Sequence, residues 1–321
     1  MMSSPKRWRM SPPAKRRRET QLNQDPAINP AGLRHRAEAH AGAFPALLAE
    51  AEHLAATVML GEHGRRRAGM GDEFWQYRPA ENGDGLRDID WRRSARGDEQ
   101  FVRQKEWQAA QSVMFWVDDA LSMSFTGGAD RPTKGHRARV MALALCVLLN
   151  RGGERFGLAN RGTPPRRGEA QLARMAGHLM DAAFSGENDT DFGTPNARVL
   201  PAGSRAVFLS DFFGDPGPVA DALTRATDRG VKGTLIQILD PDEEAFPYDG
   251  RTVFESMSGA VRFETLKAGS LKDDYLNRLA QRKAMLQDLC RATGWRYLCH
   301  HTDTPALKAL LWAYRALEGT S

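Results

Sequence analysis

Two aspartates stand where chemistry is most easily placed. Asp118 ends the apolar run Val113 to Val117, and Asp211 ends Ala206-Val207-Phe208-Leu209-Ser210. Ser122 and Ser124 follow Asp118 within one turn, and Asn188-Asp189-Thr190-Asp191 lies between the two aspartates in the chain. Carboxylates and hydroxyls are hard oxygen donors. Asp118, Ser122, Thr190 and Asp211 at one edge are a set suited to Mg²⁺, with water or an incoming carboxylate completing the shell. The same Asp118 stretch also reads as an ordinary strand-to-loop exit.

For these residues to meet, the two apolar runs must be neighbouring strands that end at the same edge of a sheet. Ligands of open α/β sheets bind at the carboxyl ends of the strands. A short run rich in β-branched and aromatic residues, such as Val113 to Val117, suits a strand buried on both faces. From there strand and helix alternate. The pattern predicts a nearly all-apolar helix over Arg137 to Asn150, a strand over Phe156 to Asn160, and an amphipathic helix over Gly168 to Phe184. It continues with a strand to Ser210, a helix over Val219 to Asp228, and a strand over Thr234 to Leu239 that ends in Asp240. A hairpin turning at Ser258-Gly259, a long helix over Leu271 to Thr293, a strand over Trp295 to Cys299 and a closing helix over Pro305 to Leu317 complete the chain. Strands separated by helices mean an α/β, doubly wound, mainly parallel sheet.

The N-terminal third differs. Residues 1 to 20 carry Lys6, Arg7, Arg9, Lys15, Arg16, Arg17 and Arg18 against Glu19, a segment charge of +6 where the whole chain has +5, so the remaining chain stands at about −1. The stretch 1–40 reads as a basic, disordered tail and linker. Helical spacing of Leu47, Leu48, Leu54 and Val58 predicts a helix over Phe44 to Leu60, stopped by Gly61. Residues 61 to 107 are dense in Arg, Asp, Gly and Trp, a composition that favours Arg–carboxylate forks with Phe74, Tyr77, Ile89 and Trp91 pinning short strands. The expected division is therefore tail and linker at 1–40, helix and small β-rich Arg/Asp subdomain at 41–110, and the α/β domain with a C-terminal helical extension at 111–321. No apolar run approaches the ~20 residues of a membrane-spanning helix. Cys146, Cys290 and Cys299 are widely spaced, as expected of reduced thiols in a cytoplasmic protein.

The Asp118 turn, the distant Thr190 (or Thr194) and Asp211 resemble the metal-ion-dependent adhesion site of von Willebrand factor A domains, Asp-x-Ser-x-Ser with a distant Thr and Asp. Upstream, Gly83-Asp84, Arg87-x-Ile89-Asp90-Trp91 and Ser94-Ala95-Arg96, leading into Asp118-x-x-x-Ser122, resemble domain-of-unknown-function family 58 over roughly residues 60 to 240. That resemblance implies a von Willebrand factor A-like fold, with the Arg/Asp subdomain inserted before the first core strand. It also implies a partner, a MoxR-type AAA+ ATPase, in complex assembly or chaperone-like work. Members commonly carry N-terminal membrane helices, and none is legible here. Ala120 replaces the first serine of the adhesion pattern. A methyl group is no ligand, so the expectation is weak or absent Mg²⁺ binding, with Ser124 or Asp119 as the groups that could partly compensate.

Enzyme readings fail on particular residues. A haloacid-dehalogenase-type phosphatase needs a second acid two positions after its aspartate, and Ala120 is there. Leu121-Ser122-Met123-Ser124-Phe125 lacks the glycines of a nucleophile elbow, and no phosphate-cradling G-x-x-x-x-G-K-[ST] exists. His300-His301 reads as a surface pair, and Asp240, Asp242, Glu243 and Glu244 as a solvated acidic loop. Two functions remain. One is a non-enzymatic interaction module presenting its Asp118/Ser122/Thr190/Asp211 rim to an acidic residue of an AAA+ ATPase or another protein. The other is an adaptor for nucleic acid or anionic membrane acting through the basic tail, although nothing outside that tail calls for nucleic acid.

Overall fold

The computed structural model describes residues 46–58, 74–80, 89, 91–95, 101–105, 110–184 and 190–318, which fall into two units, Gly61–Gln111 and the remainder. In the smaller unit β1 (Phe74–Pro79) pairs antiparallel with β2 (Phe101–Lys105), and a single helical turn, α2 (Trp91–Ser94), lies between them. Ser94 Oγ accepts the Phe101 amide at 2.9 Å, which ties that turn to the second strand. Ile89 is buried as expected, whereas Trp91, expected to pin the strands, is 55% exposed. Gly83, Asp84, Arg87, Asp90 and Arg96 lie outside the described residues, as does the basic tail.

The larger unit is built on a six-stranded sheet of order β10-β7-β6-β3-β4-β5. Its members are β3 (Ser112–Val117), β4 (Arg155–Leu158), β5 (Thr163–Arg166), β6 (Arg205–Ser210), β7 (Lys232–Leu239) and β10 (Arg296–His301). All neighbours are parallel except β5, which runs antiparallel to β4 at the edge. The sequence hides β5, because Pro164 and Pro165 argue against a strand. An edge strand tolerates proline, since an amide facing away from the sheet has no ladder bond to lose.

Side chains alternate cleanly across this sheet, as a period of two requires. Phe115, Val117, Val207, Leu209, Ile236 and Ile238 face one core, and Met114, Trp116, Ala206, Phe208 and Leu235 face the other. The first core is covered by α1 (residues 46–58), α3 (Lys134–Arg151), α4 (Glu169–Phe184) and α8 (Ala306–Glu318). Leu47, Ala51, Ala55 and Val58 are buried in it, so α1 belongs with the α/β unit and not with the Arg/Asp segment. The second core is covered by α5 (Pro216–Asp228) and α7 (Lys272–Thr293). There Phe208 meets Trp116 edge-on at 5.7 Å and Trp295 at 5.0 Å. Gly233 makes room for Trp295: a Cβ on it would lie 2.6 Å from both the ring and the Ala206 carbonyl.

Two smaller elements follow β7. The first is α6 (Pro241–Ala245), where the sequence reading expects a solvated loop. The second is the hairpin of β8 (Thr252–Glu255) and β9 (Arg262–Thr265), which turns at Gly259 as expected. The decisive feature is connectivity. From β3 the chain moves one way to β4 and later returns to β6 on the other side of β3. The β3–β6 boundary is therefore the topological switch point, where an α/β sheet opens a crevice at its strand ends.

Candidate functional site

Asp118 and Asp211 follow the adjacent strands β3 and β6 at that switch point. The Asp118 amide still donates to Leu209 O at 2.9 Å, so both carboxyl groups stand at the same lip of the sheet. Each residue is 1% exposed. Asp118 Oδ1 accepts the Ala120 amide at 2.9 Å, and Oδ2 accepts the Ser210 hydroxyl at 2.6 Å. Burial raises the Asp118 carboxyl and the nearby Asp211 charge raises it further, so that it titrates at about 7 despite these bonds. The Ser210 oxygen in turn accepts the Phe212 amide at 2.9 Å and supports a left-handed backbone at Phe212 (φ 52°). A non-glycine residue in that region is strained. The turn brings the Phe213 amide to Asp211 Oδ1 at 3.1 Å.

The neutralising charge comes from a residue the sequence reading missed. Lys134, the first residue of α3, is 1% exposed, and its Nζ lies 2.8 Å from Asp211 Oδ2 and 2.6 Å from Glu243 Oε1. Phe213 and Phe125 flank the ammonium at 4.9 and 5.7 Å from their ring centres. Burial opposes its charge, but the Asp211 and Glu243 carboxylates outweigh it and hold Lys134 protonated, above the ordinary lysine value. Glu243 is raised to about 7, by burial against the pull of Lys134. Its other oxygen accepts the Asp240 amide at 2.8 Å, and the Asp240 side chain caps α6 in return. The supposed acidic loop is thus a capped helical turn with a buried glutamate. Asp240-Pro241-x-Glu243, an N-cap acid, a proline at the first position and an acid at the third, was the signal for it. Asp240 is further bound by Arg131 at 3.0 Å and Thr302 at 3.1 Å.

The other expected members do not converge in the same way. Ser122 is 5% exposed, and its Oγ has no hydrogen-bond partner among the described residues. Thr190 is exposed; its carbonyl, not its hydroxyl, is engaged, accepting the Leu121 amide at 3.1 Å. Thr194 is exposed as well, Ser124 bonds back to Leu121 O at 2.6 Å, and Asp119 faces Arg161 at 3.5 Å. Neither Ser124 nor Asp119 therefore compensates for Ala120. Gly193 completes the enclosure, for a Cβ there would fall 2.2 Å from Asp118 Oδ1.

These residues do not fit Mg²⁺. Ala120 offers a methyl group, Asp118 has a donor on each oxygen, and Lys134 already occupies Asp211. A divalent ion 4 Å from a buried ammonium is opposed by about 8 kcal/mol at an effective dielectric of 20, twice the value for two unit charges. With Asp118, Ser122 and Asp211 buried, the rim does not offer its side chains to a partner's carboxylate. His300 also departs from expectation: it is 5% exposed, and burial lowers it to about 4. Among the described residues no helix is long and apolar enough to cross a membrane.

Uncharacterized proteins of Mycobacterium bovis and Mycobacterium tuberculosis are 27% identical over 256 residues, covering 77% of this chain and 80% of theirs. The crystal structure of a conserved hypothetical protein, BatB from Bacteroides thetaiotaomicron, aligns with a TM-score of 0.37 at 15% identity. It covers 65% of this chain and 99% of its own, a likeness too low to bear on the fold. The family model described as a protein of unknown function, DUF58, matches residues 76–285, from the first strand of the small unit through the strand-end site and into α7. The chain belongs to the DUF58 family.

Proposed function

We propose that this protein is a non-enzymatic interaction module, the accessory of a MoxR-type AAA+ ATPase in complex assembly or chaperone-like work. In this reading the strand-end cluster is a metal-free counterpart of the adhesion site of von Willebrand factor A domains. The Lys134 ammonium, 2.8 Å from Asp211 and 2.6 Å from Glu243, is the observation that carries the metal-free site, and the ATPase partner rests on the family resemblance. A fixed internal cation does for this sheet edge what a bound divalent ion does for the adhesion site: it gathers the acidic strand ends and sets the loops above them. Asp118 is not poised as a nucleophile, since it accepts two hydrogen bonds and has no acid partner at position 120. The partner then meets the outer surface of those loops, around Thr190, Asp191 and Ser258, and not the buried carboxylates.

The test is co-purification of the full chain with the MoxR-type ATPase of its own host, with and without chelator. Complex formation indifferent to chelator, and lost when the buried cluster is broken by Lys134→Met, supports the proposal. Micromolar Mg²⁺ binding by calorimetry that is lost in Asp211→Asn overturns the metal-free reading.

A further inference from the structure

Outside the strand-end site, three side chains of metal-ligand type meet beneath the last strand. Successive residues of β10 point to opposite faces. Tyr297, Cys299 and His301 therefore share the face turned to α7, and Glu244 reaches the same place from α6. His301 Nε2 and Glu244 Oε2 are 2.7 Å apart. One ligand atom each from Glu244, Cys299 and His301 all lie within 4.8 Å of one another, and all three residues are half-buried. A tetrahedral zinc site separates its ligands by about 3.3–3.8 Å, from metal–ligand distances of about 2.0–2.3 Å. Side-chain shifts of about 1 Å would close this set.

We propose that Glu244, Cys299 and His301 form a Zn²⁺ site, with the fourth position open to water. Thiolate, imidazole and carboxylate together favour a borderline-soft transition metal over Mg²⁺ or Ca²⁺. The surroundings suit such a site. The Tyr297 hydroxyl, on the same face of β10, donates to Gln237 Oε1 at 2.5 Å and so fixes one wall beside Cys299. Lys283 of α7 holds the place of the ion, paired with Glu244, and its charge acts on the Cys299 thiol. It differs from Lys134 in two respects. Its side chain is 24% exposed where that of Lys134 is 1%, so it can swing into water. An ammonium also satisfies the carboxylate but gives imidazole and thiol nothing comparable to a metal bond. Binding replaces the Cys299 thiol proton, which leaves to solvent as Zn²⁺ arrives, and no redox partner is involved.

The experiment is a Zn²⁺ titration of the untagged, full, reduced chain by calorimetry, paired with Co²⁺ absorption spectra. One ion per chain at micromolar affinity or tighter is expected, with a thiolate-to-cobalt charge-transfer band. Cys299→Ser and His301→Ala should each weaken binding by at least about 10–100-fold. Lys283→Met should strengthen it by removing the competing charge, which a merely adventitious surface ion would not reproduce. Substoichiometric binding in both the native chain and Lys283→Met overturns the proposal, as does an affinity unchanged in Cys299→Ser. Should Cys299→Ser fail to fold, the cobalt spectrum of the native chain decides alone, and a missing thiolate band counts against the site.

Discussion

Lys134 breaks two rules at once: it is a buried ammonium, and it stands at a helix N-terminus, where the backbone dipole disfavours positive charge. Two carboxylates reverse that balance. Removing the ammonium leaves Asp211 buried without a counter-charge, so Lys134→Met should lower stability by about 3–5 kcal/mol in urea denaturation. Adding Asp211→Asn to it should restore a good part, because the stranded charge goes too. Asp118 gives a pH prediction. Its folded value is about 7 against an ordinary 3.8, so the folded chain binds a proton that the unfolded chain has released. That contribution is complete below about 3.8 and is lost as pH rises through about 7. Glu243, also raised to about 7, acts in the same sense. Asp118→Asn, which mimics the protonated form, should be more stable than the native chain at pH 8 by about 1–3 kcal/mol, and the gap should close toward pH 5. Melting curves at the two pH values check it, and a gap of the opposite sign would refute the assignment.

At the scale of elements, the parallel strands were legible because runs such as Val113 to Val117 and Ala206 to Ser210 are short, apolar and branched. Their acidic ends were legible because each run stops abruptly at Asp118, Asp211 or Asp240. What was not legible depended on partners distant in sequence. Nothing in Thr133-Lys134-Gly135 announces a lysine turned inward, since its anions lie 77 and 109 positions away. Likewise His300-His301 resembles a surface pair until the sheet turns one ring inward and sets the other against Glu244. The packing makes two predictions. Phe208→Ala removes a ring shared by Trp116 and Trp295 and should cost about 3–5 kcal/mol in the same denaturation assay. Gly193→Ala places a methyl group against the Asp118 carboxylate and should cost about 1–3 kcal/mol, more than an alanine at the open Gly177 position on α4.

For the whole molecule, the two functional readings separate by truncation. Deleting residues 1–20 removes a segment of net charge +6 and none of the described residues. If ATPase binding survives that deletion and fails in Asp118→Ala, the interaction belongs to the folded unit. The reverse result assigns it to the tail, whose attraction for anionic lipid or RNA should fall steeply with salt.

The β8–β9 hairpin adds something the strand ends do not suggest. Ser258 grips the Asp191 carboxylate through its amide at 2.8 Å and its hydroxyl at 3.0 Å, while the backbone carbonyl of Asp191 receives the Ser122 amide at 3.0 Å. Tip, loop and aspartate turn are links of one taut chain, and slack introduced at either end must be taken up at the other. Met257 and Val261 are exposed on that tip. The hairpin tip is joined, through Asp191, to the turn that follows Asp118.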